Sequence, residues 1–414
     1  MASEPADLER FRAEARAWLD EHAAPRRGAG DWSNGPRDAT WEAETEYFER
    51  CRAWQRTLFD AGWAGITWPR SYGGRGGSAA EAVAFNQEQA RFDVSSGFLA
   101  STIALVGPTL VAHGTEDQRA RFLPPLLRGD EVWCQLFSEP GAGSDLANLR
   151  TRAVLDGDEL VVNGQKVWTS GARHADHAIL LVRTDIDATK HRGISYLLVD
   201  MSTPGIDVRP LRQITGAVHF NEVFLTGVRV PVANVVGEID AGWGPARTTL
   251  ANESALIGGS MQTGSGAAAL VDLARAMGCS DNPVTRQRLA RVWACEQVLG
   301  WLGARVQGDV LAGRAPTLDG SVLKVLWSRD HAAKGALAVS LLGACGMLAD
   351  DDAPRDGFWQ TLLLNRFWAS IGGGTDEIHL TMIGEWALGL PAEPRVDRNV
   401  PFREIAHQQV RSKS

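Results

Sequence analysis

The spacing of apolar side chains changes twice along the chain, from a helical to an extended pattern and back. Between Leu8 and about Arg128, apolar residues recur three or four positions apart, as they do on one face of a helix. A segment rich in glycine, residues 65–78, interrupts this stretch and predicts a loop. A long helical run is then predicted from Ala79 to Val111.

Between Glu131 and about Glu238, apolar and polar residues alternate with the period of a β-strand. Asp156-Gly157 and Asn163-Gly164 lie between β-forming residues, and such pairs are the strongest short-range indication of a hairpin turn. Further strands are predicted in the segments HAILLVRTD, GISYLLVDM, GIDVRPL and NEVFLTGVRVP. We therefore expect a compact antiparallel β unit that is closed like a barrel.

The helical spacing returns at Trp243 and continues to about Leu388. It predicts a bundle of four long helices, near residues 247–277, 283–312, 320–347 and 374–388. The last residues contain three prolines and are expected to form an arm that is ordered against a partner chain. The predicted fold class is α+β, mainly α, with an N-terminal helical domain (1–130), a middle antiparallel β-barrel domain (131–240), a C-terminal four-helix bundle (241–390) and a C-terminal arm (391–414).

The composition excludes several classes of protein but does not identify the function. The 414 residues carry a formal net charge of −8, which argues against a nucleic-acid-binding protein. No apolar run approaches the ~20 residues of a membrane span, and the N-terminus lacks an apolar signal segment, so we expect a cytoplasmic location. The five cysteines are scattered, and the neighbouring His174 and His177 have no third ligand nearby, so neither a disulfide framework nor a metal site is predicted.

Two glycine-rich segments are candidate ligand-binding loops. Residues 138–145, with the sequence SEPGAGSD, contain two glycines that allow backbone N–H groups to approach a flat or phosphorylated ligand, although a plain tight turn has the same pattern. Residues 371–378 place three glycines before Thr375, which predicts a turn into a helix N-terminus that can receive an anionic or carbonyl group. An ordinary capped helix start explains this second segment equally well.

Glu253 is a candidate general base. It lies on a predicted helix that is otherwise lined by small and apolar residues, where a carboxylate has a raised pKa. From the spacing alone, a solvated helix face or an ion pair between helices is also a sufficient explanation.

The chain resembles the acyl-CoA dehydrogenase family over nearly its whole length. The resemblance is carried by seven segments in the family's order, GWAGITWPRSYGGRGG, HGTEDQRARFLPP, WCQLFSEPGAGSDL, VVNGQKVWTSGA, HFNEVFLTGVRVP, VGEIDAGWGPARTTLANES and IGGGTDEIHLTMIGEWALGLP. It implies FAD as cofactor, an acyl-CoA or similar thioester as substrate and an electron-transfer flavoprotein as acceptor. It also implies a tetramer or dimer, with a heterotetramer as an alternative.

The resemblance also implies roles for individual residues. Phe137, Ser138, Gly143 and Ser144 would lie along the flavin, together with Trp168 and Ser170 of the β unit. Thr375 and Glu377 would contact the pyrophosphate and adenosine portions of FAD.

The catalytic base departs from the common family pattern. Most members carry a glutamate directly before the Gly-Thr of the last motif, and this chain has Gly373 there, which can offer only its backbone N–H to the substrate carbonyl. A minority carry the base on the first helix of the bundle, and Glu253 matches that position. We therefore predict Glu253 as the base.

Other departures affect contacts that the family makes between subunits. The partner-subunit flavin motif is replaced at Cys279–Leu289, and a Gln before a Gly-Gly turn is replaced at Ser340–Ala344. They motivate a second hypothesis, a non-catalytic or half-site subunit of a heteromeric dehydrogenase. A third hypothesis keeps the fold but changes the chemistry to that of a flavin oxidase, a flavin monooxygenase or a dehydrogenase acting on a carrier-protein thioester.

Overall fold

The computed structural model describes residues 6–27, 31–35, 40–259, 266–311, 319–349, 352–395, 397 and 399–405. Helices occupy both ends of this part of the chain and a curled sheet lies between them, which confirms the predicted fold class. The described helices are α1 (Ala6–His22), α2 (Trp41–Asp60), α3 (Ala79–Gln89), α4 (Gly97–His113), α5 (Glu116–Arg128), α6 (Trp243–Gly259), α7 (Ala267–Ala276), α8 (Pro283–Leu311), α9 (Asp319–Leu342), α10 (Phe358–Leu364), α11 (Arg366–Ile371) and α12 (Asp376–Met382).

The segment predicted as one helical run from Ala79 to Val111 forms two helices, α3 and α4. The prediction of an uninterrupted run was therefore wrong. A polar segment between α3 and α4 contains Asp93, whose carboxylate accepts hydrogen bonds from the backbone N–H groups of Trp32 and Ser33. These hydrogen bonds hold a turn in a segment where the spacing of apolar residues alone predicts an uninterrupted helix. Helix α5 begins at the capping box of Thr115 and Gln118.

The middle sheet contains β1 (Trp133–Leu136), β2 (Arg152–Asp156), β3 (Glu159–Ser170), β4 (His177–Arg183), β5 (Ile194–Asp200), β6 (Ile206–Leu211) and β7 (Phe220–Pro231). The strand order is β1-β4-β2-β3-β7-β6, and β5 pairs with β4. Most pairs are antiparallel, but β1 lies parallel to β4. Parallel pairing requires a long connection between the two strands, and residues 137–176 supply it.

One of the two predicted hairpin turns is present. Asp156-Gly157 closes the β2–β3 hairpin, as predicted. Asn163-Gly164 instead lies inside β3, at a β-bulge opposite β7, so this hairpin prediction was wrong. A Cβ at Gly164 would lie 2.4 Å from the Thr151 hydroxyl, so this glycine permits a close approach between chain segments.

The helices in the C-terminal third of the chain differ from the four long helices that the sequence predicts. The helix predicted over 247–277 is described as α6 and α7, and residues 260–265 between them lie outside the described part of the chain. Residues 343–347, predicted as the end of a long helix, form a 3₁₀ turn after α9. The short helices α10 and α11 were not predicted, and α12 is followed by a π-helical turn at 383–387.

Strand β4 is buried on both faces and separates two hydrophobic clusters. Ile179 and Leu181 belong to the cluster that includes the N-terminal helices. Ala178, Leu180 and Val182 belong to the cluster inside the curled sheet. This explains why residues 178–182 (AILLV) are continuously apolar rather than alternating.

The described part of the C-terminal arm packs against the sheet of its own chain. Phe402 donates its backbone N–H to the Ala188 carbonyl, and the Arg183 guanidinium lies 3.9 Å from the centre of the Phe402 ring. The Lys190 ammonium bonds both Asp397 of the arm and Asp145 of the glycine-rich loop. These contacts attach the described part of the arm to its own chain, and its contact with a partner chain stays a prediction.

Within the described residues, no helix combines the length and the apolar character that a bilayer crossing requires.

The close approach of Gly107 and Trp68 gives a prediction about stability. A Cβ at Gly107 in α4 would lie 1.9 Å from the buried Trp68 ring, so we expect Gly107→Ala to destabilise the fold by about 1–3 kcal/mol through overpacking. Gly300→Ala is the control, because Gly300 lies in α8 with open space around its Cα, and alanine there stabilises a helix by about 0.5–1 kcal/mol. Chemical denaturation measures both, and equal effects would contradict the packing of α4 on Trp68.

Candidate active site

A buried lysine joins two of the segments predicted to bind the cofactor. The Lys166 side chain of β3 is fully buried, and its Nζ donates to the Phe137 carbonyl at 3.0 Å and to the Glu139 carboxylate at 2.8 Å. The Val167 backbone N–H donates to the Ser138 carbonyl at 2.9 Å. The strand that continues to Trp168 and Ser170 is therefore fixed beside the segment 137–139.

Glu139 is held as a carboxylate. Besides Lys166, it accepts hydrogen bonds from the backbone N–H groups of Arg150 (2.6 Å) and Thr151 (2.9 Å). Burial alone would raise the pKa of Glu139, but the Lys166 ammonium and these donors hold it below its usual range. Glu139 thus closes the loop 138–151 and acts structurally.

Trp168 has an unusual combination of backbone strain and exposure. Its φ is +61°, a conformation that a bulky residue rarely adopts, and its side chain is 56% exposed. The register of β3 against β7 shifts between Lys166 and Thr169, so a bulge turns the indole outward. Strained residues of this kind concentrate at functional sites.

The glycine-rich loop beside Trp168 is open. A Cβ at Gly141 or Gly143 would meet no atom within 4 Å, and Ser144 is exposed, so the loop backbone is free to approach a ligand. Ser138 and Ser170 are half-buried. Phe137 is different because its ring is buried edge-on against Tyr196, which leaves only its backbone for a ligand.

Glu253 of α6 has a neutral partner. Its carboxylate accepts a hydrogen bond from the Gln135 amide at 3.3 Å. Burial raises the pKa of Glu253, and the Gln135 hydrogen bond opposes this rise. Among the described residues, Glu253 forms no ion pair. The salt bridge between helices, which the sequence offered as an alternative role for Glu253, is therefore absent from this part of the structure.

Helix α6 is fixed to the sheet one turn before Glu253. The Tyr196 hydroxyl of β5 lies 3.1 Å from Thr249 Oγ1, and Thr249 in turn contacts the Thr109 hydroxyl of α4 at 2.9 Å. Because Phe137 packs on Tyr196, the same contacts place Glu253 close to the segment 135–138. The structure therefore joins Glu253 to β1 through Gln135, and it joins the end of β1 to the part of β3 that precedes Trp168 through the Ser138–Val167 hydrogen bond.

The glycine turn before α12 is held by a histidine. Gly373 and Gly374 have φ values of +66° and +92°, and His379 Nε2 donates to the Gly373 carbonyl at 2.9 Å. Burial lowers the pKa of His379 and favours the neutral ring, so Nδ1 accepts from the Ser321 hydroxyl at 3.0 Å. Position 373 is thus unfavourable for any residue with a side chain, glutamate included.

Helix α12 is attached to α9. Thr375 caps it by accepting from the Ile378 N–H, and Asp376 is bound by Lys324 at 2.9 Å and by Ser328 at 2.7 Å. Glu377 is exposed. The bonds of Lys324 and Ser328 with Asp376 join α9 to α12. Because α9 also packs against α6, it connects the helix that follows Thr375 to the helix that carries Glu253.

Sequence reasoning missed the residues that hold the site together. They are Gln135, Lys166, Tyr196, Thr249, Lys324, Ser328 and His379. The available signal was polarity inside apolar segments, as in Trp-Cys-Gln-Leu-Phe at 133–137. Among the described residues, no cluster of three or more His, Cys, Asp or Glu could hold a metal ion.

The buried Lys166–Glu139 pair gives a prediction about stability. Lys166→Met removes the ammonium and leaves the Glu139 charge buried, so we expect a loss of about 3–5 kcal/mol in the free energy of unfolding. Arg229→Ala in β7 breaks the exposed pairs of Arg229 with Asp156 and Glu159, and each pair should contribute less than about 1 kcal/mol. Urea denaturation compares the two, and a similar small loss for both would show that the buried pair is not needed.

Three family models match successive parts of the chain. They describe the acyl-CoA dehydrogenase N-terminal domain (residues 5–130), middle domain (134–228) and C-terminal domain (240–388). Glu253 and the turn at Gly373 both fall within the last of these.

Individual relatives agree with these models. The chain is 40% identical to acyl-CoA dehydrogenase IpdE1 of Mycobacterium tuberculosis, over 94% of this chain and 99% of the relative. A solved structure described as the Tcur3481-Tcur3483 steroid ACAD is 32% identical, with a TM-score of 0.75 over 95% of this chain and 100% of that one. The ChsE4-ChsE5 complex of Mycobacterium tuberculosis is similar at 32% identity and a TM-score of 0.74, over 95% of this chain and 100% of that one. The chain therefore belongs to the acyl-CoA dehydrogenase family and to its enzyme class.

Proposed function

We propose that this enzyme dehydrogenates an acyl-CoA thioester between its α and β carbons, with FAD as cofactor and Glu253 as base. The observation that carries the proposal is the setting of Glu253, a carboxylate with a raised pKa whose described partner is a neutral amide. A carboxylate paired with a cation would be too weak a base to remove a proton from carbon. Its position beside the segment 135–138 supports the assignment.

The base must remove a proton that is only weakly acidic. A thioester carbonyl makes its α-proton more acidic when its oxygen receives hydrogen bonds, since negative charge then develops on a stabilised oxygen. We assign one such donor to the backbone N–H of Gly373. His379 supports this role because it holds the next peptide group of the turn in one orientation.

The residues around Trp168 fit a flavin. An exposed indole on a strained bulge and an open glycine loop provide a flat surface and free backbone donors side by side. We assign Ser138, Gly143, Ser144, Trp168, Ser170 and the Phe137 backbone to the flavin end of FAD. Thr375 is assigned to the pyrophosphate and Glu377 to the adenosine portion. FAD would accept the β-hydrogen as hydride and pass the electrons to an electron-transfer flavoprotein.

A bulky lipid acyl group is the proposed substrate. A similar structure is described as a steroid ACAD, and it matches over nearly the whole of this chain. We therefore expect a steroid-type or branched acyl thioester to react better than a short straight chain.

The proposed enzyme acts as an oligomer. Large apolar side chains are exposed on the C-terminal helices, among them Trp293, Trp301, Trp386 and Leu388. Such surfaces on a soluble protein usually mark contacts with another chain. Two of the similar structures are named as two-component proteins, which supports a heteromer as an alternative to a homotetramer.

Replacement of the base tests the proposed reaction. Glu253→Gln keeps the shape of the side chain but cannot take a proton, so we expect the dehydrogenation rate to fall at least ~10²-fold while FAD stays bound. Flavin bleaching across short, branched, long and steroid-type acyl-CoA thioesters measures the rate. Asp272→Asn, at an exposed carboxylate of the same domain, should leave it unchanged. A near-normal rate for Glu253→Gln would refute the assignment.

The flavin content distinguishes a catalytic chain from a non-catalytic subunit. We expect the purified protein to be yellow, with FAD equimolar to the chain by absorbance after denaturation, because the exposed Trp168 indole and the open glycine loop support a flavin site. A colourless protein that takes up no FAD, alone or with a co-purified partner subunit, would favour the non-catalytic hypothesis. Rapid reoxidation of reduced flavin by oxygen would instead indicate an oxidase or a monooxygenase.

A further inference from the structure

Gln135 is a polar side chain on an apolar face. Its neighbours two positions away, Trp133 and Phe137, are both buried in the cluster shared with the N-terminal helices. The intervening Cys134 and Leu136 are buried inside the curled sheet. Strand geometry therefore directs Gln135 to the same side as Trp133 and Phe137, where an amide without a hydrogen-bond partner is unfavourable.

The partner of this amide is Glu253. Gln135 Nε2 donates to Glu253 Oε2 at 3.3 Å. An amide can orient a carboxylate without neutralising it, whereas a lysine or arginine at this position would stabilise the charge and weaken the base. Oε2 of Glu253 is thereby engaged, and Oε1 accepts no hydrogen bond from the part of the chain that the structure describes.

The two elements that carry these residues are held in register. The hydroxyls of Tyr196 and Thr249 join α6 to the sheet one turn before Glu253, and Phe137 packs on Tyr196. The parallel pairing of Gln135 with Ile179 fixes β1 against β4. The Gln135–Glu253 contact therefore joins two fixed elements.

We propose that Gln135 is a positioning residue, which orients the Glu253 carboxylate toward the α-carbon of the substrate through the Nε2–Oε2 hydrogen bond. This inference rests on the proposed role of Glu253 as base. Titratable groups on α4, β5 and α9, which all pack against α6, have partners other than Glu253: His113 of α4 bonds Thr248, Tyr196 of β5 bonds Thr249, and Lys324 of α9 bonds Asp376. Among the described residues, Gln135 is the hydrogen-bond partner of the Glu253 carboxylate.

Two substitutions of Gln135 separate orientation from fold. Gln135→Met keeps the length of the side chain and suits the apolar surroundings, but it donates no hydrogen bond. We expect kcat to fall by about 10- to 100-fold with KM nearly unchanged, because a misplaced base loses its alignment. The acidic limb of the pH profile of kcat/KM should move to higher pH, since the donor that favours the ionised carboxylate is lost. Gln135→Glu should move that limb further, because like charges oppose ionisation.

The control is a second hydrogen bond between a glutamine and a glutamate, at half-buried positions of the sheet. Gln165 of β3 donates to Glu222 at 3.2 Å, away from Glu253, so Gln165→Met should leave kcat and the pH profile unchanged. Thermal unfolding and bound FAD are measured for every variant to verify its fold. The infrared band of the protonated Glu253 carboxyl gives a readout that is independent of turnover. The band is identified by its absence in Glu253→Gln. In Gln135→Met, this band should disappear at a higher pH than in the wild type.

The outcomes distinguish this inference from the proposed function. If Glu253→Gln is inactive and Gln135→Met retains the normal kcat, acidic limb and infrared titration, the positioning role is wrong and the base assignment stands. If Glu253→Gln remains active, the base assignment is wrong and the positioning role falls with it. A folded, FAD-containing Gln135→Met with lower kcat and a shifted acidic limb supports the inference.

Discussion

The two-sided packing of β1 is the constraint on which the candidate site depends. Trp133 and Phe137 contribute to the cluster of the N-terminal helices, while Cys134 and Leu136 fill the interior of the sheet. A shift of one residue would exchange these faces, so the register is strongly specified. That register presents Gln135 to Glu253 and the Phe137 carbonyl to Lys166. The proposed base and the proposed flavin surface are therefore placed by the same short strand.

The sequence predicted elements well where the decisive interaction is local. Asp156-Gly157 closes a hairpin because the turn residues themselves supply the backbone conformation. Asn163-Gly164 has the same local signal, yet it forms a bulge because Thr151 approaches Gly164 and β7 continues the pairing. The break between α3 and α4 likewise depends on Asp93, which bonds backbone groups about 60 residues earlier in the chain. Contacts between residues so far apart in the chain leave no trace in the spacing of apolar residues.

The sequence yields a hypothesis for the chemistry of the candidate site but not the residues that hold the site together. Glu253 is the proposed base because the chain resembles a family in which a glutamate stands either at the position of Gly373 or at that of Glu253. Its partner Gln135 is 118 residues away, and only the assembled fold shows that the two side chains meet. Phe137 shows the reverse, because a residue assigned to the flavin by resemblance has its ring in the core. The contact of Phe402 in the arm with Arg183 of β4 is equally remote in sequence, and no pattern in the sequence indicates it.

Proton removal by Glu253 can be measured apart from hydride transfer. A 3,3-dimethylpentanoyl-CoA, whose β-carbon is bonded to four carbons, has no β-hydrogen to transfer, so in heavy water the α-proton can only be removed and replaced by deuterium. Proton NMR follows the loss of the α-proton signal in the presence of the FAD-loaded enzyme. We expect the wild type to catalyse this exchange and Glu253→Gln to leave the signal at the uncatalysed rate. Exchange at the wild-type rate in Glu253→Gln would contradict the role of Glu253 as the base.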